Sequence, residues 1–436
     1  MHSRSLLVAA LVLAASSGRA DAAPQFPHVE RVSVSSSGEQ GNALSRGATI
    51  SADGRVVAFV ARADNLVPGD RNGWEDVLVR DRLTGVTERV SVSTEGVEGN
   101  LESVSPVISD DGSVVAFQSD ASNLVPGDTN HFPDVFVHDR NTGRTTRVSV
   151  SSTGVEADLP AHVPAISGNG RVVAFMSYAN TLVPDDQTLR QDIYVHDRDT
   201  GRTTLVSVND HGIQGNNNSW FPALSYDGRY VAYRSQADNL VEGDTNFSQD
   251  IFVHDRVTGH TSLVSIATDG TQANSTSLSA SISADGRFVS FHSFATNLSP
   301  VDVSAHADIY VRDRLLGVTE LITQSLGGTS GDDHSQFSKI SADGRFVCFE
   351  SAATFLVPGD TPFSLDVFVR DRVAGHTWRA SVDSHGIPAD GPSIVPALSA
   401  DGFSVVFESH AKNLVPGDTN GEADVYVVEL GLPAGP

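Results

Sequence analysis

An all-β fold, a seven-bladed β-propeller with four antiparallel strands per blade, is what this sequence predicts, on three observations. A Ser-x-Asp/Asn-Gly turn recurs every 58 residues, seven times, at Ser51, Ser109, Ser167, Ser225, Ser283, Ser341 and Ser399. Each copy runs on into a short apolar stretch ending in an aromatic: Phe59, Phe117, Phe175, Tyr233, Phe291, Phe349 and Phe407. Helical periodicity is absent, and each period holds four short β-branched or aromatic runs separated by turn formers. Fixed periods of this length mark repeat architectures, and four strands per period is the unit of a propeller.

The period from Asn100 to Ala157 sets out the elements in order. Ser103–Ser109 (SVSPVIS) is a short strand, and Asp110-Asp111-Gly112 turns it. Ser113–Ser119 (SVVAFQS) is the second strand, and ASNLVPGDTNHFPD is a loop of turn formers. Val135–Arg140 is the third strand; after Asn141-Thr142-Gly143, Thr145–Ser151 is the fourth. The first fourth-strand motif, Arg31-Val32-Ser33-Val34-Ser35, precedes any whole blade, while the last blade ends at VYVVEL without one. Residues 31–436 number 406, seven times 58. Val32–Ser35 is therefore expected beside Val425–Leu430, closing the ring and removing two open sheet edges.

Ahead of the propeller, MHSRS carries His2 and Arg4, LLVAALVLAA is apolar, and Ala20-Asp21-Ala22 fits a small-x-small cleavage site. This pattern predicts a secretory signal peptide over residues 1–22, with a lead-in over 23–30. No later stretch is apolar enough for a membrane span. The expected mature protein is a periplasmic or secreted monomer. One cysteine, Cys348, excludes an internal disulfide. It stands where other copies carry alanine, serine or valine, as a small core residue would. The formal charge is −25; losing Arg4, Arg19 and Asp21 with the leader leaves 27 basic against 53 acidic residues, −26. That balance argues against nucleic acid and anionic membranes, and permits cations or basic partners.

The short turns, SADG and the LTG, NTG, DTG and VTG type, fall on one face of the ring. The longer NLVPGDTN and SSTGVEAD loops fall on the other, which is the expected functional face. Shared positions point to scaffold: Gly54 and its equivalents at a turn, Leu66 and its equivalents between blades, and Asp81-Arg82 as an inter-blade ion pair.

One shared pattern has two readings. Asp70 and Asp76 recur in every copy, and four copies add an asparagine: Asp70-Asn72-Asp76, Asp128-Asn130-Asp134, Asp244-Asn246-Asp250 and Asp418-Asn420-Asp424. Each set offers three oxygen side chains to Ca²⁺, which takes about six to eight. Equally, the first Asp can accept backbone N–H groups in a Pro-Gly-Asp turn while the second steadies the start of the third strand. DTNGEAD resembles the aspartate-rich calcium loops of some propellers but lacks their fifth-position carboxylate.

Where the copies disagree, a ligand site is the alternative to neutral drift. One variable column is Arg46, Val104, His162, Trp220, Leu278, Gln336 and Ile394; another holds Glu102 and His334. Both sit where each innermost strand begins, so Arg46, Glu102, His162, Trp220, His334 and Gln336 are candidates for a polar pocket with an aromatic floor. Motifs for serine hydrolases, zinc sites and phosphate loops are not legible. His138, His196 and His254 share one strand position in successive blades, so they should point apart around the ring.

The runs S-A-D-G-R-x-V-x-F, D-V-F-V-x-D-R-x-T-G and R-V-S-V-S resemble the TolB-like propeller repeat of exported bacterial proteins, over essentially the whole mature chain. The resemblance implies fold and export; function does not travel with fold. TolB has a six-bladed ring and an α/β domain that this sequence does not match. Peptidases of the dipeptidyl-peptidase type are similar in their propellers, but their hydrolase segment is not legible here. Some related propellers are polysaccharide lyases with a metal-binding histidine cluster, and no such cluster stands out. The expected function is a non-enzymatic module binding a protein, peptide or glycan on the long-loop face. The alternative is a polysaccharide lyase or hydrolase at the channel mouth, using His162, His334 and Arg46.

Overall fold

The computed structural model describes residues 27–431 apart from 185, 187 and 361–363. The leader expected over 1–22 lies outside them. Seven four-stranded antiparallel sheets are arranged as blades in a ring. Blade 1 consists of Ser45–Ile50, Val56–Ala61, Asp76–Asp81 and Val86–Arg89, from the innermost strand outward. Blades 2 to 6 repeat this order, and blade 7 takes its outer strand from the N-terminal His28–Arg31. No helix among the described residues is long and apolar enough to cross a membrane.

The core lies between blades rather than within one. Seven apolar clusters each join two neighbouring blades; one packs Phe59 and Leu66 of blade 1 against Val406 and Val425 of blade 7. Second- and third-strand aromatics stack inside most blades, as Phe117 on Phe136 and Tyr233 on Phe252. Cys348 is fully buried in such a cluster, as a small core residue.

The repeated turn has two roles. Ser51 Oγ accepts from the Val56 N–H at 2.9 Å and donates to Asp53 at 2.6 Å, which holds the turn shut. The residue after the serine then links blades: Ala52 N–H bonds Asp110 C=O, and such bonds run on around the ring, with Asn169 rather than Gly168 donating in blade 3, until Ala400 N–H reaches Ala52 C=O at 3.1 Å. The turn glycine is required twice over. Gly286 has φ +74°, and a Cβ there would lie 2.1 Å from Tyr230 of the preceding blade.

Three sequence expectations shift. The ring does close at the N-terminus, but through His28–Arg31, paired Arg31 to Tyr426 and His28 to Glu429, so the propeller begins inside the expected lead-in. Val32–Ser35 follows on: Val32 N–H bonds Val425 C=O at 2.9 Å and Ser33 Oγ bonds Asp424 at 2.6 Å. Likewise the outer strand of blade 2 is Arg144–Arg147, because Val150 leaves the sheet to pair with Glu156. Asp81 and Arg82 are not partners. Asp81 binds Arg55 of its own blade at 2.6 Å, whereas Arg82 reaches Glu30 at 2.9 Å and Glu429 at 2.8 Å in blade 7. At this position in blade 1 only the arginine ties blades together; between blades 2 and 3, Arg198 also comes within 3.7 Å of Asp139.

Candidate functional site

Each innermost strand carries a β-bulge two residues in, next to the long-loop face. The bulged residue is left-handed in every blade: Gly47, Ser105, Val163, Phe221, Ser279, Phe337 and Val395. A β-branched residue at φ near 50°, as at Val163 and Val395, is backbone strain. The strain re-aims the strand where the central channel opens.

This geometry separates the candidates of the variable columns. Arg46 is exposed and bound to Glu75 through two bonds of 3.1 and 2.6 Å. Glu102 is half-buried; its backbone carbonyl accepts from Asp120 N–H, and its charge acts on Arg46. His162 lies near Asp120, and burial lowers its pKa. His334 accepts the Ala307 N–H at 2.9 Å on Nδ1 and lies edge-on to His306 and Phe294. Gln336 pairs across the strand with Glu350, and Trp220 with Arg234. Among the described residues, no contact joins any two of Arg46, His162 and His334.

The residues that sequence reasoning missed are the cross-strand partners of that column, one strand further out: Val60, Gln118, Met176, Arg234, His292, Glu350 and Glu408. Three of these side chains reach the bulge of the next blade. Glu350 Oε2 accepts Val395 N–H at 2.7 Å, Glu408 Oε2 accepts Gly47 N–H at 2.8 Å, and Gln118 accepts Val163 N–H at 3.4 Å. Burial pushes the Glu350 carboxyl up to about 7, and Glu408 adds to it. The Arg234 guanidinium lies 4.6 Å from the Phe221 ring centroid and 5.0 Å from that of Trp220. Burial lowers the pKa of Arg234 and holds His292 neutral, down to about 4. Arg234 Nε and His292 Nδ1 are both buried without a hydrogen-bond partner among the described residues. A signal was available: charged residues interrupt a strand that is otherwise β-branched or aromatic.

Aromatic side chains crowd this face. Of the exposed Phe, Tyr and Trp residues among those described, Trp74, Phe132, Phe221, Phe247, Phe337 and Phe355 lie on it, and Tyr226 alone lies on the short-turn face.

The aspartate loops are occupied by the chain itself. Arg89 lies 3.3 Å from Asp70, 3.4 Å from Asp76 and 2.5 Å from Glu98. Arg147 makes the same contacts to Asp128, Asp134 and Glu156. Gln272 bridges Asp244 and Asp250 at 2.7 and 3.1 Å; Gln40 bridges Asp418 and Asp424 at 3.0 and 2.7 Å, with Arg31 alongside. Asn72, Asn130 and Asn246 each turn an NH2 group, not an oxygen, toward the second aspartate, and Asn420 turns its NH2 to the Gly41 carbonyl. A guanidinium or amide between the carboxylates does not fit Ca²⁺ at these four loops. Acidic clusters do exist that could hold a metal, Asp70-Asp76-Glu98 and Asp128-Asp134-Glu156, but an arginine reaches every member of both. His138, His196 and His254 are likewise spoken for, each at 2.9 Å from a threonine of its own blade.

No family model matches this sequence, and neither does any curated protein. Solved structures do. An oligogalacturonate lyase in complex with manganese aligns at 14% identity over 94% of this chain and 97% of that chain, with a TM-score of 0.56. The β-propeller domain of the Trilobed protease from Pyrococcus furiosus aligns at 12% identity over 90% of this chain and 98% of that one, TM-score 0.55. TolB from Acinetobacter baumannii aligns at 17% identity over 79% of this chain and 66% of that one, TM-score 0.44. What the lyase and the protease domain share with this chain is the propeller fold, and the same fold serves a lyase and part of a protease.

Proposed function

We propose that this protein is an exported, monomeric propeller that binds a glycan on its long-loop face, at the channel mouth around Arg234, Trp220, Phe221, His292 and Phe337. The observation that carries the reading is the pair of buried nitrogen atoms without partners, Arg234 Nε and His292 Nδ1, flanked by exposed Phe221 and Phe337. Buried polar nitrogens lacking partners cost free energy that a polar ligand reaching them recovers. Flat aromatic faces beside polar groups suit a pyranose ring, whose C–H face is apolar and whose edge is hydroxylated. Six exposed aromatics on one face extend the surface beyond a single sugar.

A second reading, a polysaccharide lyase at the same mouth, is favoured by the near-complete overlap with the oligogalacturonate lyase. Proton abstraction beside a carboxylate needs a neutral base and a cation that holds the acid group. Here the groups would be His292 and Arg234, on neighbouring blades, rather than Arg46, His162 and His334, which lie on blades that are not neighbours. No metal-dependent step is part of this reading.

A glycan and peptide array on the purified protein tests both. Binding to saccharides that is lost in Phe221→Ala and Arg234→Ala, without loss of folding, supports the first reading. Peptide-only binding, or saccharide binding indifferent to both variants, overturns it. Release of unsaturated uronate products from an acidic polysaccharide selects the second.

A further inference from the structure

We infer that blade 5, alone among the seven, holds a small oxygen-preferring cation of the Ca²⁺ type between Asp302 and Asp308. The argument comes from comparing one atom across seven copies. In six blades Oδ2 of the second aspartate faces a nitrogen donor supplied by this chain. Blades 1, 2, 6 and 7 use Arg89, Arg147, Arg379 and Arg31 from the outer strand. Blades 3 and 4 carry leucine at that position, Leu205 and Leu263, and the long amides of Gln214 and Gln272 take over, at 2.6 Å from Asp192 and 3.1 Å from Asp250.

Blade 5 has lost both. Leu321 stands at the arginine position and Ser330 at the glutamine position. The Ser330 hydroxyl is occupied locally, accepting Val303 N–H at 3.1 Å and lying 3.5 Å from Ser304 Oγ. Asp308 is fully buried. Its Oδ1 accepts from Thr323 at 2.5 Å, and its Oδ2 has no hydrogen-bond partner among the described residues. The Gly331 N–H and Ser304 hydroxyl are near enough to favour the anion, without meeting hydrogen-bond geometry at Oδ2.

Asp302 is buried beside it, held by Tyr310 at 2.6 Å and Ser304 N–H at 3.1 Å. Two buried carboxylates with no cationic partner among the described residues are costly. The side chains around Asp308 are the Asp302 carboxylate and the Ser304 and Thr323 hydroxyls, the ligand set of a hard cation rather than of a thiolate- or imidazole-seeking metal. The loops richest in acidic residues, in blades 1 and 2, are the wrong place to look, since arginine already supplies the charge there. This inference does not depend on what the channel mouth binds.

The test is calorimetry and thermal unfolding of the full chain, stripped with a chelator and titrated with Ca²⁺. One equivalent should bind and raise the unfolding midpoint. Ser330→Gln installs the donor that blades 3 and 4 use; it should weaken Ca²⁺ binding by about 10- to 100-fold while leaving the cation-free protein no less heat-stable. Asp308→Asn should lose the binding by a similar factor, whether or not the glutamine variant folds. Asp244→Asn in blade 4 should leave the stoichiometry unchanged. Absence of heat and midpoint shift in the unaltered protein overturns the inference. So does Ca²⁺ binding that survives Asp308→Asn, or that falls in Asp244→Asn instead.

Discussion

Replacing Glu350 by glutamine should make this protein more stable at neutral pH, and by an amount that depends on pH. The Glu350 carboxylate is 3% exposed and accepts one bond, from Val395 N–H. Burial raises its pKa from 4.5 to about 7. Between those values the folded state holds a proton that the unfolded state has released. Stability from this group therefore falls as pH rises through the window and levels off above pH 7. At about 1.4 kcal/mol per unit, the ionised group costs roughly 3 kcal/mol at pH 8 and under about 1 kcal/mol at pH 5. Glutamine is nearly the same shape, still offers a carbonyl to Val395, and does not titrate. Urea unfolding of both proteins at matched ionic strength is the assay. The stability difference in favour of Glu350→Gln should be about 2.5 kcal/mol larger at pH 8 than at pH 5. An equal difference at both values would mean that Glu350 is ionised in the folded protein throughout, and the reading of a desolvated carboxyl at the mouth would fail.

Two further outcomes test the scaffold. Gly286→Ala should cost about 1–2 kcal/mol for its left-handed backbone and about 1–3 kcal/mol more for the clash with Tyr230, while Gly38→Ala, with φ +84° and nothing near its Cβ, should cost only the first; equal losses in denaturant would remove the inter-blade contact from the account. Deleting residues 27–33 should open the ring, lower the unfolding midpoint and speed amide exchange over Asp424–Glu429, whose partner strand is then gone; unchanged heat stability would refute closure as a source of stability.

Much of the ring could be read from the period alone. Seven equivalent serines, glycines and aromatics imply seven equivalent environments, and the four-run pattern between them allows little but a closed set of blades. The closing strand was legible too, although four residues late, because the RVSVS motif straddles the end of the outer strand. What the motif supplies is Ser91, whose hydroxyl bonds Asp76 at 2.6 Å inside the blade, and the strand proper is the stretch before it. The variable column was legible, but its members face separate partners, and Arg234 Nε and His292 Nδ1, buried without partners among the described residues, belong to the column across the strand.

By itself, then, the sequence determined the repeat, the number of blades, the two unlike faces and the residues that make every blade the same. Only the tertiary structure decided what fills the space between the aspartates and which polar side chains share a site. The physical reason is distance along the chain. A period relates each residue to its copies, which are chemically equivalent but lie in different blades. Charge compensation is instead settled by neighbours from elsewhere: Arg89 comes back to Asp76 from the outer strand, Gln40 and Arg31 reach Asp418 and Asp424 across the ring closure, and Asp308 Oδ2 has no such donor among the described residues.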